Sequence, residues 1–597
     1  MKTLLPLVLI MSGVVSALAQ SPPAARPTAS PSPTPAEKRG PNESPLATGT
    51  IKGRVVADDG RPVVNASLMA QAVNGQPSIR PAQVDSEGNF SFDDLPVATY
   101  IIFAVAPGYI DEAMSTGDPN DWPRHLIGSQ LKIKMIRGGV ITGKVTNSKG
   151  DPIVGVPVRA VALNNPSWSP TDFLGTGGAE SDDRGVYRIY GLKPGSYVVN
   201  AGGPGQFGLA TSNGFDLDVP TYYPSANRDT AIPVAVRSGD ETTGIDIKYS
   251  GAEGHRISGF VQGAANVGPS AANGAIAIVL SPAGTQSVLS MAIASPLDQR
   301  RAFGFNGIAD GEYDLFAAFQ TGQQSDASLV ATRRVTVRGG DVTGVELTLA
   351  QLASIAGAIT LDPIKPEDKC DQRGSQLIET VFAARRDDPR KSGGQTMTML
   401  AGLGGTLNAK GEFIARNLDA GRYRFEIKLP TEAWYVRAIN LPAAVTAPSP
   451  LSKPSPWQGT VTIKSGQQVS GVSIIVGQDA ASLRGRVTVT PEGTAFPADL
   501  HVHLVPADRE QANDVLRYSE TTIMSDGGFA FSNLAPGRYF IVSRVEPGAE
   551  TPSPRSSAWD PTLRAKLRQE AEAAKVVVDL KPCQRLKDYA LPLKAEQ

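Results

Sequence analysis

Short runs of alternating apolar and polar residues recur along this chain, and they recur in a fixed order. Each copy opens on aliphatic-x-Gly-x-aliphatic: Ile51-Gly53-Val55, Ile141-Gly143-Val145, Ile257-Gly259-Val261, Ile355-Gly357-Ile359 and Leu483-Gly485-Val487. Residues two apart on a strand share a face, so each run predicts a half-buried strand. Further on, an aromatic is followed ten positions later by a tyrosine, with a branched aliphatic midway. These triplets are Phe90/Leu95/Tyr100, Tyr187/Leu192/Tyr197, Phe303/Ile308/Tyr313, Phe413/Leu418/Tyr423 and Phe529/Leu534/Tyr539. One supersecondary unit copied five times accounts for the pattern, and it shifts the question of function from one active site to the use of an array.

The first copy shows the parts. Asp58-Asp59-Gly60-Arg61-Pro62 reads as a turn and Val63–Met69 as the next strand. Asp85-Ser86-Glu87-Gly88 reads as a hairpin turn whose glycine supplies positive φ. Asp182-Asp183-Arg184-Gly185, Asn408-Ala409-Lys410-Gly411 and Ser525-Asp526-Gly527-Gly528 take the same place later, while Arg300-Arg301-Ala302 departs from it. Copies two to four close on alternating aliphatics after a glycine: Gly244 before Ile245 and Ile247, Gly344 before Val345 and Leu347, Gly471 before Val472 and Ile474. About seven short strands with turns every 8–12 residues is the signature of a β-sandwich. One helix is expected, with Asp560 as cap, Pro561 in its first turn and Leu563, Leu567, Ala571 and Ala574 at helical spacing.

The expected fold is all-β: a tandem array of about five small antiparallel β-sandwich domains, immunoglobulin-like or transthyretin-like, with one short helix in the last. Boundaries fall at 49–136, 137–250, 251–350, 351–477 and 478–597. Loop insertions at 366–400 and 440–456 belong on the surface. Strung end to end, modules about 35 Å across would reach on the order of 170 Å.

Composition changes this picture little. A chain of 597 residues exceeds what one core fills, and 61 glycines and 47 prolines suit many turns. Lys plus Arg (57) balances Asp plus Glu (58) with no long basic run, which speaks against nucleic acid and anionic membranes as partners. Residues 1–19 combine Lys2, an apolar run from Leu4 to Val15 and Ala17-Leu18-Ala19, the pattern of a secretory signal peptide. Segment 20–48 is a Pro-rich linker of extended, semi-rigid character. The mature chain is expected outside the cytoplasm (periplasmic, cell-envelope or extracellular) and not inserted in a membrane.

Candidate chemistry is sparse, and no cofactor is implied. Of the four histidines only His501 and His503 share a strand face, and two imidazoles without a third ligand favour a polar strand facing solvent. The Asp-rich turns lack the ligand order of a calcium loop. No catalytic nucleophile elbow or phosphate loop occurs in a strand-to-helix context. Cys370 and Cys583, the two cysteines, either bridge in an oxidising compartment or stay as buried thiols.

The run G-x-V…D-x-x-G-x-F…L-P-x-x-Y-x-I…A-P-G-Y over residues 53–109 resembles the carboxypeptidase regulatory-like domain, a transthyretin-like sandwich grouped with Cna-B-like and starch-binding-like modules. Segments 141–161 and 181–199 are similar, copies four and five match in the hairpin half, and copy three only in outline. The resemblance implies a non-catalytic secreted or envelope module used for adhesion, binding or spacing. Its partner would be a polysaccharide or a cell-surface protein. Some Cna-B relatives carry Lys–Asn crosslinks; Lys52 and Lys144 stand near opening strands, but no lysine recurs there in copies three to five. Carbohydrate binding by analogy would use exposed aromatics, for which Trp122, Trp168, Trp434, Trp457 and Trp559 are the candidates; the competing role is to anchor loops.

Overall fold

The computed structural model describes residues 47–74, 79–114, 122–163, 178–204, 214–263, 275–285, 287–294, 300–320, 329–364, 370, 374–387, 406–442, 459–488, 496–497, 499–545 and 561–593. Residues 1–19, expected as a signal peptide, and nearly all of the expected linker 20–48 lie outside the described residues. Among the described residues the five largest hydrophobic cores are each closed between two sheets, and the fold is a tandem array of small β-sandwiches.

In module one, Asn89–Pro96, Thr48–Ala57, Gln130–Arg137 and Tyr109–Asp111 form one sheet. Ile79–Gln83, Ser67–Ala72, Thr99–Val105 and His125–Leu126 form the other. The strand expected over Val63–Met69 begins at Ser67, because Pro62 is taken up in a bridge to Val56.

The sheets are antiparallel with one exception that recurs in every module: the opening strand pairs parallel with the closing strand. The pairs run Lys52↔Gln130 to Ala57↔Met135 and Ile257↔Val342 to Gln262↔Thr348 in modules one and three. In modules four and five they run Ser354↔Gln468 to Leu361↔Val476 and Ser482↔Arg585 to Thr488↔Pro592. In module two the pairing is split between Glu241–Thr242 and Ile247–Lys248. Parallel neighbours need a long crossover, here the rest of the module, so the chain enters and leaves each sandwich at opposite poles.

The recurring residues now have causes. Gly53, Gly143, Gly259, Gly357 and Gly485 lie directly opposite Phe90, Tyr187, Phe303, Phe413 and Phe529 across the antiparallel pair. A Cβ at any of the five would run into a backbone oxygen of the closing strand (Leu131, Ile245, Val345, Val472, Tyr589). The glycine exists to let that strand come close. The following tyrosine packs in the core and donates its hydroxyl to the carbonyl four residues earlier: Tyr100 to Pro96 at 2.7 Å, Tyr197 to Lys193 at 2.8 Å, Tyr313 to Ala309 at 3.0 Å, Tyr423 to Asp419 at 2.9 Å and Tyr539 to Ala535 at 2.7 Å. It pins the turn that feeds its own strand, the device of a tyrosine corner.

The residue before each midpoint aliphatic has positive φ: Asp94 (54°), Gly191 (73°), Gly307 (66°), Asn417 (63°) and Asn533 (57°). Only residue types that tolerate the left-handed region stand there. A register shift accompanies each, a bulge that turns the aliphatic into the core.

The helix spans Pro561–Ala574, and the expected cap Asp560 lies outside the described residues. Leu567 and Ala571 pack on Val505 and Tyr518, covering the outer face of a module five sheet, while Leu563 is exposed.

Modules one and four touch, contrary to the end-to-end expectation. Asn74 Nδ2 donates to the Ile378 and Thr380 carbonyls (2.9 and 2.6 Å), and Thr99 Oγ1 to that of Glu379 (2.6 Å). Buried side chains on main-chain partners hold this contact together with an apolar cluster in which Val381 of module four joins Val73, Ile101, Phe103, Met114 and Trp122.

Candidate functional site

The aromatic candidates that the structure describes offer no ligand platform, which corrects that reading for two of them. Trp122 is 2% exposed and stands edge-on to Phe103 at 5.5 Å, inside the contact between modules one and four. Trp434 is 2% exposed in the module four core, and its carbonyl accepts from Asn533 Nδ2 of module five at 2.6 Å. Both anchor loops at module junctions. Trp168, Trp457 and Trp559 lie outside the described residues.

His501 and His503 do not face solvent as the strand pattern suggests. Val502 and Leu504 point into the module five core, and the histidines lie on the opposite face of the same sheet, His503 at 1% exposure. Glu520 spans the pair, with its Oε1 2.9 Å from His501 Nδ1 and its Oε2 3.9 Å from His503 Nδ1. Arg544, opposite His501 in register, reaches Glu570 of the covering helix at 3.6 Å. Burial pushes the His503 imidazole down to about 4, against the pull of Glu520 and with help from His501 and Arg544. The helix hides this face, and alternation along one strand gave no sign of it. Among the described residues no group of three His, Cys, Asp or Glu is arranged to hold a metal ion. His125 and His255 stand elsewhere, the second 3.3 Å from Asp310.

The Asp-rich turns close on themselves. Asp85 Oδ1 accepts from the Glu87 and Asn89 amides and Asp182 Oδ1 from those of Arg184 and Val186, which holds both carboxyls below their ordinary range. Asn408 does the same with Lys410 and Glu412. These are Asx-turns.

A cleft of about 500 Å³ opens beside the contact of modules one and four, lined by Thr50, Lys52, Gln130, Gln376 and Glu379. Its carboxylate, Glu379, accepts from the Gln376 amide at 2.8 Å and so serves the local turn.

Polar chemistry gathers instead at the junction of modules four and five. Cys370 and Cys583 form a disulfide with Cα atoms 5.4 Å apart. Their amides donate to Gln478 and Asp479 of the segment joining the two modules. Asn533 Nδ2 bonds the Thr431 and Trp434 carbonyls (2.7 and 2.6 Å), Ala480 N donates to Ala433 O, and Tyr435 packs on Ala480 and Ala535.

Five sandwiches joined by short, hydrogen-bonded segments define a tandem β-sandwich repeat protein. Within it, residues 50–118 match the family model of the carboxypeptidase regulatory-like domain. No curated protein matches the chain. Solved structures similar to it include the Bacillus anthracis TIE protein, at 10% identity over 51% of each chain and a TM-score of 0.14. GBS52, the minor pilin of Streptococcus agalactiae, is similar at 14% identity over 34% of this chain and 96% of that one, TM-score 0.19. Two B repeat units of the collagen binding protein Cna of Staphylococcus aureus are similar at 11% identity over 72% and 100%, TM-score 0.12.

Proposed function

We propose that the chain is an exported, non-catalytic array of β-sandwich modules acting as an adhesion or spacer element of the cell envelope or its surroundings. The observation that carries this reading is the parallel pairing of opening and closing strands, which sets successive modules head to tail. The disulfide suits an oxidising compartment, and the N-terminal pattern suits export. Among the described residues no helix is long and apolar enough to cross a membrane. Each repeated residue serves a turn or a core. The partner in this reading is a surface protein; carbohydrate binding through loop aromatics now rests on Trp168, Trp457 and Trp559 alone.

The test uses the chain from residue 20 onward, immobilised on beads. Saturable capture by envelope or matrix proteins, without tryptophan quenching by polysaccharides, is the expected result. Chelator-sensitive turnover in a hydrolase screen would overturn it.

A further inference from the structure

We infer that the chain is a tension-bearing tether in which the Cys370–Cys583 bond carries load past the bodies of modules four and five. The inference rests on the adhesion or spacer reading, since a tether needs load at both ends. Its first ground is the strand geometry. Load applied at the two poles of a module pulls the opening and closing strands in opposite directions along their length. Every hydrogen bond between them must then shear together rather than open one at a time.

The second ground is where the disulfide sits. The module four opening strand is Ala353–Leu361, and Cys370 follows it closely; Cys583 just precedes the module five closing strand, Arg585–Pro592. Between the cysteines lie the module four closing strand Gln468–Gly477, the joining segment and the module five opening strand Ala481–Thr488. Load arriving along Ala353–Leu361 therefore reaches Cys370, crosses the sulfur bridge and leaves through Arg585–Pro592. The intervening chain, with a cysteine separation of 213 residues, stays slack inside a closed loop. Modules four and five can then lose only their outermost load-bearing strands, while modules one to three remain fully extensible. The contact of modules one and four, held by Asn74 and Thr99, parts before any sandwich unfolds.

Single-molecule extension of the full mature chain, held by handles at both ends, tests this. Fully unfolded, the oxidised chain should be shorter than the dithiothreitol-reduced chain by about 720 Å, taking about 3.4 Å per residue over the 213-residue separation. The Cys370→Ser, Cys583→Ser double variant should match the reduced chain. Should that variant misfold, the oxidised protein reduced while held under load gives the same comparison, with a stepwise gain of that length. Equal lengths in both states, or two titratable thiols in the folded protein, would overturn the inference. A failed capture assay would remove the adhesion reading and leave this length difference untouched.

Discussion

Modules two and four carry the same repeat signature and solve the same packing problem differently. In module four the closing strand is one element, Gln468–Gly477, paired along the opening strand with a single register shift between Ile355 and Gly357. In module two it is split, and side chains replace the missing ladder bonds. Asp246 Oδ1 accepts from the Lys144 amide at 2.8 Å, and Tyr187, standing where the other modules have phenylalanine, donates to the Ile245 carbonyl. Module four is also tied to its neighbour covalently, whereas module two meets module three through hydrogen bonds such as Gly254 N to Leu217 O (2.9 Å) and Val219 N to Ala252 O (2.8 Å). A shared signature therefore fixes the core and leaves the strength of the load-bearing pair free to vary.

The largest expected contrast comes from the disulfide. Closing a loop of 213 residues constrains the unfolded chain by about 5 kcal/mol in the chain-entropy account. The Cys370→Ser, Cys583→Ser variant should lower the calorimetric transition of modules four and five and leave that of module two in place. A matching shift in module two would show that the modules do not melt separately.

Acid should separate the same regions. His503 is buried neutral, near 4 when folded against an ordinary value of 6.5. Below 6.5 the unfolded chain takes up a proton that the folded chain refuses, so stability falls as pH drops from 6.5 through 4. The loss is at most about 3 kcal/mol. It belongs to module five, where Glu520, His501 and Arg544 act on the ring and the helix residue Glu570 pairs with Arg544; module two has no counterpart. NMR titration of His503 with a midpoint at 6.5 or above would sink this.

The opposed glycines should respond unequally. At Gly357 a new Cβ meets the Val472 backbone and the Phe413 ring, at the start of an uninterrupted run of pairs from Gly357↔Val472 to Leu361↔Val476, and Gly357→Ala should cost about 2–3 kcal/mol. At Gly143 the obstacle is Ile245, between two short pairings that can shift, and about half that cost is expected. Gly340→Ala, where nothing lies within 4 Å, is the control and should be neutral in urea melts. Equal costs at Gly143 and Gly357 would mean that the split strand is as rigid as the whole one.

Much of this was legible in the residues, and the gaps have physical reasons. Period-two alternation marks Ile51-Gly53-Val55 and its copies as strands whichever way the partner runs, so it could not reveal that Gln130–Arg137 pairs parallel to Thr48–Ala57. The glycine was visible as a repeat, but its cause is a carbonyl on a distant strand, Leu131 for Gly53. The left-handed position stands in the residues as Asp94, Gly191, Gly307, Asn417 and Asn533, types that share that tolerance, and it was legible in principle. Burial of Trp122 depends on a contact between modules, that of Trp434 on the packing of the whole module four core, and that of His503 on a helix some sixty residues later. The path past modules four and five needed the pairing of Cys370 with Cys583, which spacing alone left open.

The smallest change tests the comparison most directly. Tyr187→Phe gives module two the residue its four relatives carry and removes one donor from the Ile245 carbonyl. A hydrogen bond of this kind contributes about 1 kcal/mol net, so the melt should move little. Hydrogen exchange discriminates better. The Ile245 amide, bonded to Thr142 O in the gap of the split strand, should exchange faster in the variant. Tyr423→Phe in module four removes a hydroxyl from the turn at Asp419 and should leave the amides of Gln468–Gly477 as protected as before. If Tyr187→Phe also leaves Ile245 unchanged, the Asp246 carboxylate on the Lys144 amide is holding the gap by itself, and the tyrosine is there only to fill the space over Gly143.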